Sequence, residues 1–198
     1  MQALTDEHWS AVKWILCYIK FTIQHGLFLS RHFSVQLTVY TDADCAGSID
    51  NRIFTSGYCF FLGTNLISWS SKKQCTVARS STEAEYRGMA NAAAEVIWLQ
   101  SLLREFGVPQ SPPLVLCDNL SAAYLSINLI RHSHSKHVET DIHFMRDYVT
   151  NGVLNVRFVS TKDQQADILT KSLSSLRFSM LKNKLSNSFK PASLARGC

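Results

Sequence analysis

The chain has 198 residues, 46% of them hydrophobic, with 20 Lys and Arg against 15 Asp and Glu for a net charge of +5. That length and apolar content can bury a real core and argue for one domain plus an extension, not for a disordered chain. The longest apolar run, WILCYI at 14–19, stops far short of the roughly 18 residues that span a bilayer, and the opening MQALTDEH is acidic where a signal peptide is basic, so no membrane partner and an intracellular, non-secreted location are expected.

Along residues 5–25, Trp9, Val12, Leu16, Ile19 and Ile23 recur at three- and four-residue steps; the spacing predicts an amphipathic helix capped by Thr5 and closed by Gly26, with its stripe buried against a partner. Three strands are expected next, at 35–42, 56–63 and 66–71, the last two joined by a tight Gly-Thr-Asn turn into an antiparallel meander. A long helix over 81–106 should end at Gly107 before Pro109. PLVLCD at 113–118 reads as a short central strand covered on both faces. A helix at 119–128, a loop rich in His and Ser, a helix at 137–151, a strand at 154–160 and a helix from 164 complete a mixed sheet with helices on its faces. The Ser- and Lys/Arg-rich stretch after 173 reads as a tail with room for a short helix. Six cysteines at 17, 45, 59, 75, 117 and 198 form no C-x-x-C pair and fit thiols of a reducing compartment.

Four acids stand out against this frame. Ser80 as N-cap and Glu83 three residues on make a capping box, which explains Glu83 structurally. Glu85 instead heads the stripe Glu85, Gly88, Ala92, Val96, Leu99, Leu103 that the helix turns toward the sheet, where a carboxylate is costly unless a positive charge compensates it. Asp42 closes the first strand, Asp118 closes PLVLC, and Asp167 falls in the first turn of the helix begun near Gln164. Taken singly, Asp118 would serve as a turn residue or as the N-cap of the next helix. Taken together, the four can meet at the edge where parallel central strands end. The simplest remedy for their repulsion is one or two divalent cations that prefer oxygen, Mg²⁺ or Mn²⁺. Two such ions about 4 Å apart suit phosphodiester hydrolysis, and the basic excess permits a polyanionic partner.

The strings YTDADCAG, TSGYCFFLGTNLISWSSKKQ, ARSSTEAEYRGMANAAAEVIWLQSLL, LCDNLSAA, SKHVETDIHF and FVSTKDQQADILTKSL resemble the ribonuclease H domain at the C-terminal end of copia-type LTR retrotransposon Pol polyproteins, over about residues 6–185. The resemblance implies a ribonuclease H-like fold with a five-stranded mixed sheet, the acids Asp42, Glu85, Asp118 and Asp167 as catalytic metal ligands, two Mg²⁺ ions, and endonucleolytic cleavage of the RNA strand of RNA/DNA hybrids. It also implies that residues 1–34 form a helical connection from the family's reverse transcriptase, a possible partner, that 35–175 form the nuclease and that 176–198 form a tail.

Lys72, Lys73, Arg79, Ser80 and Ser81 lie in or beside the loop entering the acidic helix, as backbone contacts to a duplex or as a solvated turn. His137 belongs to a motif that recurs in the family, in a structural or hybrid-contacting role. The other histidines of RHSHSKHVETDIH match no standard zinc spacing. Trp69 and Trp98 read as packing residues, and Asp44, two residues past Asp42, reads as a substrate-side acid that tunes the site without binding metal. VSTKDQQAD carries no histidine of the kind that precedes the fourth acid in many ribonucleases H, and Phe21, Ile53 and Phe54 depart from the family pattern. Two alternatives remain: a catalytically silent remnant that acts as a nucleic-acid-binding or interaction module, and a nuclease of the same architecture such as an integrase core, which generally uses three acids.

Overall fold

A computed structural model describes residues 4–23, 26–31, 34–45, 53–127 and 139–186. Strands β1 (Leu37–Asp44), β2 (Thr55–Leu62), β3 (Asn65–Lys73), β4 (Leu114–Cys117) and β5 (Asn155–Phe158) form one sheet in the order β3-β2-β1-β4-β5. The first three pair antiparallel, and β4 lies parallel to both β1 and β5. The helices are α1 (Asp6–Thr22), α2 (Ser81–Glu105), α3 (Leu120–Ile127), α4 (Glu139–Thr150), α5 (Asp167–Thr170) and α6 (Ser175–Ser186). This is the five-stranded mixed sheet expected from the sequence.

The connections follow from chain chemistry. Gly63, at φ 60, turns β2 into β3 in two residues, so that Leu62 stands opposite Asn65. Parallel neighbours cannot be joined by a hairpin, and α2 and then α3 with α4 supply the crossovers. Alternation along β1 sends Leu37 and Val39 to one face, where they meet Phe60, Val115, Cys117 and Val156 in the main core. Tyr86, Met89, Ala92, Ala93 and Val96 of α2 close that core, with Met145 of α4 beside them. Small residues let α2 lie close to the sheet: a Cβ on Gly88 would sit 3.2 Å from Ser56 Oγ. On the opposite face a smaller cluster joins Cys59, Phe61 and Leu66 to Tyr40, Leu169 and Leu185, and Leu181 of α6 is fully buried.

Several expectations need correction. The stripe of α1 was expected to be buried, yet none of the helix's residues is; Trp9 and Leu16 are 58% and 56% exposed. Its periodicity marks an apolar face without saying what covers it. The helix also ends at Thr22 with Ile23 as C-cap, ahead of Gly26. β1 continues past Asp42 to Asp44 because β2 keeps pairing with it, Asp42 against Gly57 and Asp44 against Thr55. The helix expected from Gln164 begins only at Asp167, since the Gln164 side chain is engaged elsewhere, donating to the Thr41 carbonyl at 2.9 Å and accepting from Ala166 N–H at 3.2 Å. β4 is buried at Val115 and Cys117 and only partly at Leu114 and Leu116, so one of its faces stays half-open. Trp69 and Trp98 are 56% and 59% exposed and do not act as packing residues.

Candidate metal centre

The site forms where β4 stops and β1 does not. The last parallel pair sets Thr41 against Cys117, so the next step along both chains brings Asp42 beside Asp118. Asp118 does not cap α3: Asn119 Oδ1 accepts from Ala122 N–H at 3.0 Å, which leaves the Asp118 carboxylate for the cleft. The third acid arrives on α5. Gly57, opposite Asp42, makes this approach possible, because a Cβ there would fall 2.7 Å from Thr170 Cγ2 and 2.9 Å from Leu169 Cβ. Ser71 on β3 donates to the Leu169 carbonyl at 2.7 Å and Gln164 holds Thr41, so the segment is tied to two strands. Oxygens of Asp42, Asp118 and Asp167 consequently lie within 4.8 Å of one another.

Glu85 reaches the same region from α2, on the other side of β1. Its carboxyl accepts from the backbone N–H of Ala43 and feels the charges of Asp42 and Asp118. Burial, with those two aspartates adding to it, pushes Glu85 up to about 9. Its Oε2 is buried with no hydrogen-bond partner among the described residues. Burial likewise raises Asp42, against the lowering effect of a hydrogen bond from Thr170 Oγ1 and of the Lys171 charge.

These residues fit a divalent cation. Three convergent hard oxygen donors, a fourth acid with an orphaned oxygen, and a cation already drawn into the cluster together mark a place where positive charge is needed. That cation is the Lys171 ammonium, 2.6 Å from Asp167 Oδ1, 3.0 Å from Asp42 Oδ1 and 3.9 Å from Asp118 Oδ2.

No protein-family model matches the sequence. The chain is 48% identical over 186 residues to the retrovirus-related Pol polyprotein from transposon RE2 of Arabidopsis thaliana, a match that covers 93% of this chain and 13% of that polyprotein. The chain is thus similar over nearly its whole length to a segment of transposon Pol polyproteins, and it has the ribonuclease H fold. Among solved structures, the N-terminal RNase H domain of a Mycobacterium tuberculosis protein superposes with a TM-score of 0.51 at 15% identity, over 75% of this chain and 96% of that one. The foamy viral protease-reverse transcriptase in complex with RNA/DNA hybrid also gives 0.51, at 14% identity, over 87% of this chain and 21% of that one. At such identities these structures speak for the fold alone.

The remaining sequence-derived residues of this chain sit apart from the acids or outside the described residues. Asp44 lies on the strand face of Asp42 but outside the trio of converging carboxylates. Lys72 and Lys73 end β3 and are exposed, as are Arg79, Ser80 and Ser81 at the entrance of α2. Ser80 caps the helix, its hydroxyl accepting from Glu83 N–H at 3.1 Å, whereas the Glu83 carboxylate takes Arg79 N–H at 3.0 Å instead of the N-cap amide. His132, His134 and His137 lie outside the described residues, and His143 is exposed on α4. Phe54, a departure from the family pattern, packs against Ala43, Ala78 and Ala84.

Thr170, Lys171, Gln164 and Arg177 were not singled out from sequence. Arg177 Nη2 lies 3.3 Å from Asp167 Oδ2 and donates to the Thr161 carbonyl, while Nη1 donates to the Lys162 carbonyl, both at 2.6 Å, so α6 braces the loop that leads to the third acid. The spacing of Asp167 and Lys171 is a legible i,i+4 pair, but their meeting with Asp42 is not, because it joins segments more than a hundred positions apart in the chain.

Proposed function

We propose that this chain is the ribonuclease H domain of a copia-type retrotransposon Pol polyprotein, a metal-dependent endonuclease that cuts the RNA strand of RNA/DNA hybrids. The observation that carries the reading is the convergence of Asp42, Asp118 and Asp167 beside buried Glu85 at the sheet edge. Support for the substrate comes from the foamy viral relative in fold, which was solved with an RNA/DNA hybrid.

On this reading Asp42, Glu85, Asp118 and Asp167 would hold two Mg²⁺ or Mn²⁺ ions, Asp42 serving both. Metal bound by these four acids would supply an activated water and charge neutralisation at the leaving oxygen. Water adds to phosphorus in line, the P–O3′ bond breaks, and the products are a 3′-hydroxyl and a 5′-phosphate. Asp44 faces the substrate side. Lys72, Lys73, Arg79, Ser80, Ser81 and His137 contact the hybrid backbone, where the 2′-hydroxyl and duplex geometry distinguish RNA from DNA.

The nuclease spans 35–175, follows a connection segment of residues 1–34 and precedes the tail 176–198, from which α6 packs back on the sheet. The open stripe of α1 then meets the polymerase portion of the parent polyprotein, of whose relative's length this chain spans only 13%. No helix among the described residues is long and apolar enough to cross a membrane. The described cysteines are free, in keeping with an intracellular, reducing setting.

The test is a labelled RNA/DNA hybrid incubated with the chain and Mg²⁺ or Mn²⁺, with a DNA duplex of the same sequence as control. RNA-strand cleavage is expected, falling by about a thousandfold in Asp42→Asn and Asp118→Asn, equivalent to roughly 4 kcal/mol of transition-state stabilisation. Asp44→Asn should retain most of the activity. Binding without cleavage would replace this reading with that of a silent binding module, and preferential cutting of the DNA control would favour an integrase-like nuclease.

A further inference from the structure

Lys171 leaves α5 in extended conformation, φ −111 and ψ 146, with its backbone N–H on the Asp167 carbonyl at 2.9 Å. Its ammonium lies against an oxygen of each of the three converging aspartates: Asp167 Oδ1 at 2.6 Å, Asp42 Oδ1 at 3.0 Å and Asp118 Oδ2 at 3.9 Å. Arg177 is the other cation paired with this trio among the described residues, and it touches only Asp167 Oδ2. One ammonium therefore serves three carboxylates, two of them almost wholly buried.

A divalent ion bound through Asp42 and Asp167 at about 2.1 Å would need the lone pairs that Nζ now uses and would repel it at close range. The two cations are thus alternatives. The Lys171 side chain is 29% exposed on a flexible four-carbon stem, so it can withdraw without opening the core. Asp42 itself is held independently by the Thr170 hydroxyl, which leaves the acid in place when the ammonium departs.

We propose that Lys171 is a built-in counter-ion: it holds Asp42 and Asp167 together in the metal-free protein, competes with divalent ions for their oxygens, and so sets the affinity of the centre for metal. The inference rests on the reading that these acids bind divalent ions. It makes Lys171 a positioning residue for the acids.

Calorimetric titration of the full chain with Mn²⁺ tests both statements. Lys171→Met should bind Mn²⁺ about tenfold more tightly than the parent, because a competing like charge is gone. In EDTA it should melt below the parent, and saturating Mn²⁺ should raise its melting temperature by more than it raises the parent's. Mn²⁺ binding by Lys171→Met that equals or falls below the parent's overturns the counter-ion role while leaving the metal reading intact. Absence of Mn²⁺ binding by the parent, or binding indifferent to Asp118→Asn, overturns both. Should Lys171→Met not fold, acetylation of the parent read by mass spectrometry decides: Lys171 should react faster relative to Lys184 when Mn²⁺ is present, and an unchanged or slower rate overturns the inference.

Discussion

Glu85 bears the clearest electrostatic consequence of this site. Burial first, and then the charges of Asp42 and Asp118, raise it from 4.5 to about 9, so the metal-free folded protein keeps a proton there that the unfolded chain releases. Over that window the folded state binds more protons than the unfolded state, and stability falls as pH rises from 4.5 toward 9. Melting temperature in EDTA is therefore expected to drop between about pH 6 and about pH 8.5, and Glu85→Gln should flatten the profile. A variant whose profile tracks the parent's would show that Glu85 does not hold the proton. Single-residue chemistry was largely legible in sequence for the acids, because a carboxylate on the stripe of Gly88, Ala92 and Val96 violates the pattern around it. Asp42 and Asp44, two residues apart on β1, lie on the same strand face, and of the two only Asp42 stands in the cluster with Asp118 and Asp167.

At the scale of elements, the site depends on how closely the four-residue α5 approaches β2. Gly57 sets that distance, with no room for a Cβ between it and Thr170 and Leu169. Gly57→Ala should cost about 1–3 kcal/mol of stability by overpacking. Because the clash pushes α5, and Asp167 with it, away from Asp42, hybrid cleavage should fall as well. Denaturant melts paired with the cleavage assay would check this; a variant as stable and active as the parent would mean that α5 yields without disturbing the acids. The long helix α2 was readable end to end, from Ser80 at its cap to Gly107 at φ +71 beyond its last turn, since both signals are local. The start of α5 was not readable, because Gln164 Oε1 takes the Ala166 N–H while its amide is anchored on the Thr41 carbonyl, 123 residues away.

For the whole molecule, the exposed helix α1 is the main departure from a self-contained fold among the described residues. It buries none of its residues, and among the described residues its ring contact with another element is Tyr18 against Phe178, at 6.3 Å between centroids. Removing residues 1–25, while keeping the Ser30 backbone bonds to Asn65 at 2.7 and 3.0 Å, should move the melting temperature by less than about 2 °C and improve solubility. A larger loss would show that α1 supports the domain from within. The sequence by itself determined the order of strands and helices, the ends of α2, the hairpin at Gly63 and which acids were out of place, because these rest on periodicity and on capping or turn chemistry within a few residues. Four features emerge only in the folded chain: Asp118 freed by Asn119, α6 bracing Asp167 through Arg177, the open face of α1, and Lys171 among the aspartates. The reach of Lys171 to Asp42 joins segments 129 residues apart, which no local pattern encodes, whereas the Asn119 cap and the Arg177 brace are short-range choices among competing side chains that only packing resolves.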